Sequence, residues 1–273
     1  MRFLKKGFYV TKWNSQRVRR YGCRRCGCTF SSHTQRPHYR QHRPDLNDVV
    51  FQLYASGMTQ RRMALVLGVN RKTVIRKFLF LAALTRQFHK AYVQKGLLST
   101  HHAQFDEMES FEHTRLKPVT IAVVVNAKSG EIIDAKVASL SYKGPLAAFA
   151  FQKYGPRPNH AARAIKQSLR TLRACANPEL LVTTDLHPAY PRHLRAVLPK
   201  ATHHRVRSHL PDVRRDRSNP NDALFTLNYT AAKIRNDLSR MARKTWVTTK
   251  KYSRLQAHLN LYIAWNNRYQ VAI

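Results

Sequence analysis

The segment LVTTDLHPAY, residues 181–190, decides how the rest of the chain is read. Leu181, Val182, Thr183 and Thr184 form a short apolar, β-branched run closed off by Pro188, the pattern of a buried strand. The run ends in a single acid, Asp185. Acids are scarce here: 273 residues carry 49 Lys and Arg against 14 Asp and Glu, a formal net charge of +35. In open α/β sheets, ligands gather at the C-terminal ends of strands, so an acid at that position asks for a chemical reason. A second one, Asp106, lies in the strand-like HAQFDEMESF, residues 102–111. Two carboxylates aimed at one point repel each other unless a cation sits between them.

The bulk composition narrows the partners. Hydrophobic residues make up 43% of the chain and aromatics 10%, enough to fill a core, which excludes a disordered basic tail. A compact body with this charge needs a polyanion beside it, and nucleic acid is the expected partner. No apolar run approaches the ~18 residues of a membrane span, and the opening MRFLKKGFYV has no signal-like apolar stretch. The expectation is a cytoplasmic, nucleoid-associated protein with no membrane partner. Cys23, Cys26 and Cys28 cluster in YGCRRCGC, while Cys175 stands alone on an apolar stripe with Leu169, Leu172 and Ala176, as a core residue would.

Three regions follow. Residues 1–35 read as a partial zinc-ribbon-like hairpin, in which Cys23 and Cys26 have the C-x-x-C spacing of half a site. Zn²⁺ is the metal such a knuckle would take, with Cys28 or His33 to complete it; the other reading is a degenerate ribbon that binds no metal tightly. Residues 44–95 read as a helix-turn-helix. A first helix carries Leu46, Val49, Val50, Leu53 and Tyr54 on one side and stops at Gly57. Thr59 caps the next, with Met58 and Met63 as its hydrophobic staple, Gly68 breaks it, and Asn70 caps the third. That third helix would turn Arg71, Lys72, Arg76 and Lys77 outward, as a major-groove reader does. Residues 100–273 read as α/β, a mixed sheet with flanking helices: strands at 102–111, 118–126, 131–140, 180–184 and 202–208, and helices at 159–176, 189–198, 222–245 and 251–266. Glu107 and Glu109 alternate to the face opposite Asp106 and are read, with Glu112, as solvated or paired with Arg. The stretch 208–222 reads as a polar loop.

A cysteine ribbon, a helix-turn-helix, F-D-E-M, T-D-L-H-P-A-Y and a basic helix, in this order, resemble the short bacterial insertion-sequence transposases. The resemblance covers nearly the whole chain. It implies a ribonuclease H-like catalytic domain in which two aspartates and a third residue on a late helix hold Mg²⁺ or Mn²⁺. Asp106 and Asp185 match the two aspartates. The chain has no glutamate after Glu179, so an Asp-Asp-Glu triad is excluded. In the family the third ligand lies seven residues before an arginine on the late helix; counting back from Arg235 gives Asn228. Seven residues of helix return to within ~20° of the same side, and an amide oxygen coordinates a hard cation, without charge. Subsets of such transposases are similar in carrying asparagine there. Asp222 is the alternative third ligand, whereas Asp237 points the opposite way.

The resemblance implies DNA cleavage at element ends and strand transfer. The partners would be terminal inverted repeats and target DNA, with the chain acting as a homo-oligomer on DNA. Arg235, Arg240, Arg243 and Lys244 would line the DNA backbone, a role that needs only charge and reach. Two other readings remain at this stage: a catalytically inactive DNA-binding regulator, favoured by Asn228 and the half ribbon, and a structural RNA-binding protein, favoured by charge alone.

Overall fold

The computed structural model describes residues 3–207, 222–242 and 246–271. Strands β1 (Phe3–Val10), β2 (Arg17–Cys23) and β3 (Thr29–Ser31) form an antiparallel sheet in that order. Its packing is thin. Phe30 meets Phe3 edge-on and stacks on Tyr21, while Phe3, Leu4 and Phe8 remain exposed.

A 3-10 turn (Pro44–Leu46) leads into α1 (Asn47–Ala55), α2 (Gln60–Val66) and α3 (Arg71–Gln94). The caps are those expected. Thr59 Oγ1 accepts from Arg62 N at 3.4 Å and Asn70 Oδ1 from Lys72 N at 2.8 Å. Val50, Tyr54, Met63, Val74, Phe78 and Leu81 are buried together.

The second sheet contains β4 (Thr100–Glu112), β5 (Thr114–Asn126), β6 (Ile132–Ser139), β7 (Ala176–Thr184) and β8 (Thr202–Arg205), in the order β6-β5-β4-β7-β8. The β4–β5 and β5–β6 pairs are antiparallel, and β4–β7 and β7–β8 are parallel. Every residue of β5 from Pro118 to Asn126 is buried, because helices cover both faces and the usual alternation is lost. On one face Phe105, Val124 and Val182 meet α5 (Ala161–Cys175) and α6 (Tyr190–Val197). On the other, Met108, Ile121 and Val123 meet α7 (Phe225–Asp237) and α8 (Tyr252–Asn266). Cys175 is buried in the first of these layers, where burial pushes its thiol up to about 12. A further short helix, α4 (Ala147–Tyr154), lies outside the elements expected from the sequence.

Two findings go beyond the sequence reading. The helix expected over 222–245 ends at Asp237: Leu238 leaves helical geometry (φ −106°, ψ 99°) and a 3-10 turn, Ser239–Met241, follows. The apolar stripe nevertheless stays in register across the break, with Leu227, Ile234, Leu238 and Met241 all buried. What stops the helix is tertiary: Tyr262 Oη donates to Asp237 Oδ2 at 2.6 Å, and the Asp237 carbonyl lies against Gly57. The second finding is that Leu261 of α8 is buried in the core of the α1–α3 unit, and His258 Nε2 bonds the Tyr54 carbonyl at 2.9 Å. The helical front end and the α/β part share a hydrophobic layer.

Candidate active site

The two central parallel strands place the acids. Gln104 of β4 is in register with Thr183 of β7, so Asp106 and Asp185 each follow this register pair by two residues, and the Asp185 carboxylate comes near enough to act on that of Asp106. β7 ends at Thr184, and the chain turns away at Asp185, whose Oδ1 accepts from His187 N at 2.9 Å. Asp106 is half-buried. Its Oδ1 accepts from Glu107 N at 2.7 Å and from Tyr190 Oη at 3.1 Å. Burial pushes the Asp106 carboxyl up to about 6, helped by the nearby Asp185 carboxylate and opposed by those two hydrogen bonds. Burial and the same carboxylates drive the Tyr190 phenol well above its ordinary range, so it remains a donor.

The start of α7 is tied to the same strand. Gln104 Nε2 donates to the Ala223 carbonyl and Gln104 Oε1 accepts from Leu227 N, both at 2.8 Å. Thr226 Oγ1 donates to the Ala127 carbonyl at 2.8 Å. Asn228 therefore begins on a helix anchored two residues before Asp106 on β4. Its Nδ2 donates to Asp222 Oδ2 at 3.0 Å, while Asp222 Oδ1 accepts from Leu224 N at 3.0 Å. The two alternative third ligands are thus hydrogen-bonded to each other, and this bond leaves the Asn228 amide oxygen turned from Asp222. Asp237 is held by Tyr262.

Four other acids of the sheet have partners. Glu107 accepts from Thr120 Oγ1 at 2.7 Å, Glu109 pairs with Lys143, and Glu112 pairs with Arg157 at 3.3 Å. Asp134, buried on β6, is met by Lys136 at 2.9 Å and Thr171 Oγ1 at 2.7 Å. Among the described residues, neither Asp106 nor Asp185 forms an ion pair, in a chain with 49 Lys and Arg. Two neighbouring carboxylates are oxygen donors of the kind that suit a hard divalent cation, and an amide oxygen such as that of Asn228 is a neutral donor of the same class. Carboxylates and imidazoles alone do not complete a site: no group of three or more His, Cys, Asp and Glu is placed to hold a metal ion among the described residues.

The cysteine knuckle forms no such group among the described residues either. Cys23 N bonds the Cys28 carbonyl at 2.9 Å and Gly27 N the Cys23 carbonyl at 3.0 Å, which closes the turn. His33 is instead buried edge-on to Tyr9 and does not join the cysteines in a cluster.

On α3, Arg71, Lys72 and Arg76 are exposed. Lys77 corrects the expectation of an outward face. It is buried, its Nζ donates to Gln41 Oε1 at 2.6 Å, and burial lowers its ammonium to about 8. Lys77 lies three residues after Val74 and four before Leu81, on the apolar stripe itself. Arg235 is half-buried at the far end of α7. Arg240 is half-buried too, in a cleft with Arg61, Arg71, Lys250 and Arg254, and burial lowers its guanidinium. Arg243 and Lys244 lie outside the described residues. Sequence reasoning gave no role to Gln104 or Tyr190; a polar residue two positions before Asp106 on the same face, and a tyrosine five after Asp185, were the available signals.

No family model matches the chain, and no curated protein does. Six chains of solved structures match. One is the catalytic domain of the Mos1 mariner transposase, at 14% identity over 72% of this chain and 89% of that one, with a TM-score of 0.31. Another comes from the simian T-cell lymphotropic virus intasome in complex with a PP2A regulatory subunit, at 15% identity over 78% of this chain and 72% of that one, with a TM-score of 0.28. The five-stranded mixed sheet with helices on both faces is itself consistent with a ribonuclease H-like domain. No helix among the described residues is long and apolar enough to cross a membrane.

Proposed function

We propose that the chain is a DNA transposase of the insertion-sequence type, with Asp106, Asp185 and Asn228 as the ligands of catalytic Mg²⁺ or Mn²⁺. The observation that carries this reading is the pair of neighbouring carboxylates, Asp106 on β4 and Asp185 just past the end of β7, neither in an ion pair among the described residues of a strongly basic chain. Leaving such a pair without a counter-charge raises the energy of the folded state, and a bound cation removes that penalty. Bound there, divalent ions would activate the attacking water and stabilise the leaving 3′ oxygen during strand hydrolysis. The freed 3′ hydroxyl would then attack target DNA.

The protein's own groups have distinct tasks in this reading. Asp106 and Asp185 contribute charge, and Asn228 a neutral oxygen that Asp222 orients. Arg71, Lys72 and Arg76 would read the terminal inverted repeats, and Arg235, Arg240, Arg243 and Lys244 would follow the backbone. Because two carboxylates cannot balance two divalent ions, DNA phosphate must supply the remainder. Metal binding is therefore expected to be weak without DNA and much tighter with it, with the chain assembling as a homo-oligomer on DNA.

The test is a nicking assay on DNA carrying the element's ends, in Mg²⁺ or Mn²⁺ against EDTA. Metal-dependent nicking lost in both Asp185→Ala and Asn228→Ala supports the Asp-Asp-Asn site. Loss in Asp185→Ala alone moves the third ligand to Asp222. End-specific binding without cleavage in any metal overturns the enzyme in favour of an inactive regulator.

A further inference from the structure

We propose that Tyr190 is a positioning residue of the cation site, holding Asp106 so that its second carboxylate oxygen is the one presented to the metal. The inference rests on the reading of Asp106 and Asp185 as cation ligands.

Oδ1 of Asp106 already has two donors, the Glu107 N–H at 2.7 Å and the Tyr190 hydroxyl at 3.1 Å. Two donors converging on one oxygen fix the carboxylate's rotation and leave Oδ2 as the face open to an incoming ligand. The tyrosine is itself fixed. Its ring is buried, packs edge-on against Phe105 at 4.9 Å, and lies tilted over His187 at 4.6 Å. Phe105 precedes Asp106 on β4 and points to the opposite face, so the ring that orients the hydroxyl is braced by the same strand that carries the acid.

The connection to Asp185 is equally direct. Asp185 Oδ1 accepts from His187 N, and Tyr190 N bonds the His187 carbonyl at 3.3 Å. One tight turn therefore carries the second aspartate at its start and the orienting hydroxyl of the first at its end. Residues 185–190 thus carry one ligand and the hydroxyl that orients the other. Groups that orient a metal ligand through a hydrogen bond typically change metal affinity by roughly 10–100-fold when removed.

The test uses the full chain bound to DNA carrying its element ends. Mn²⁺ binding is followed by electron paramagnetic resonance, and nicking is measured across a Mn²⁺ titration. Tyr190→Phe keeps the ring on Phe105, and its fold is checked by melting in EDTA. The expected result is Mn²⁺ affinity reduced by about 10–100-fold, with nicking restored to within a few-fold of wild type at saturating Mn²⁺. A purely packing role predicts unchanged Mn²⁺ affinity, and that result overturns the proposal while leaving the metal site standing. Nicking lost at every Mn²⁺ concentration with affinity intact also overturns it. If the wild-type complex itself binds no Mn²⁺, the reading of the site fails and the role of Tyr190 fails with it.

Discussion

Gln104 and Leu227, 123 positions apart in the chain, are joined at 2.8 Å, and the same glutamine reaches the Ala223 carbonyl. A buried side chain on the central strand thus satisfies two backbone groups at the start of α7, where no side-chain cap exists. Helix termini leave such groups orphaned unless a partner is supplied. In Gln104→Leu the Leu227 N–H becomes unpaired in a dry environment, while the exposed Ala223 carbonyl can turn to water. Urea denaturation should show a stability loss of roughly 1–3 kcal/mol. Nicking should fall further than stability explains, because Asn228 lies one residue beyond Leu227. Unchanged stability would mean that α7 is anchored elsewhere.

Asp106 makes this part of the fold a source of instability. Its folded pKa, about 6, lies above the unfolded value of 3.8. Between these values the unfolded chain releases its proton first, so stability falls as pH rises through the window and stays reduced above it. The full effect is on the order of 3 kcal/mol. Asp106→Asn removes the charge but keeps an oxygen for Glu107 N and Tyr190. In EDTA at pH 8 the variant should melt above wild type, and the difference should shrink as pH falls toward 4. The variant should be inactive. A variant less stable than wild type at pH 8 would contradict the reading that burial and the Asp185 carboxylate together destabilise the ionised Asp106.

Much of this architecture was legible because it is local. The caps at Thr59 and Asn70, the continuous apolar run of β5 and the β-branched run before Asp185 all announce themselves within a few residues. What was illegible depends on distant partners. The stripe Leu227, Ala231, Ile234, Leu238 and Met241 keeps helical spacing through residue 241, so periodicity calls for one helix; the bond from Tyr262 to Asp237 interrupts it. α4 has no side-chain cap and leaves Phe149 and Phe151 exposed, so it carries no amphipathic signature. In the site, Asp106 and Asp185 could be found from their strands, but the pairing of β4 with β7 that brings them near each other, and the reach of Tyr190, come only from the fold.

Arg76 and Lys77 are adjacent and of like charge, yet should behave differently. Arg76 is exposed on α3, and Lys77 is buried against Gln41. Arg76→Ala should weaken binding to end-containing DNA and lower the slope of log affinity against log salt by about 1, as loss of one phosphate contact does. Lys77→Met should leave affinity and slope unchanged. The folded ammonium pKa, about 8, is below the unfolded 10.5, so in wild type stability rises between pH 8 and about 10.5 as the unfolded chain holds its proton longer. Lys77→Met should flatten that rise, read by urea denaturation at pH 7.5 and 10. Weakened DNA binding in Lys77→Met would return the residue to the DNA-contacting face.

Gly57 lets the helical front end approach the end of α7 closely by having no side chain. Its φ is +74°, and a Cβ there would stand 2.6 Å from the Asp237 carbonyl oxygen, at the point where α7 ends. Gly57→Ala therefore meets two penalties, the left-handed backbone at roughly 1–2 kcal/mol and a clash with main chain that cannot rotate away. Gly96, with φ +69° and nothing within 4 Å of its Cβ position, separates them. Gly96→Ala should lose only the conformational part, roughly 1–2 kcal/mol. Gly57→Ala should lose clearly more, and hydrogen exchange should quicken at both the α1–α2 turn and residues 234–241. Equal losses for the two variants would mean that the front end shifts freely against α7, and the shared layer around Leu261 would then not be what holds them in register.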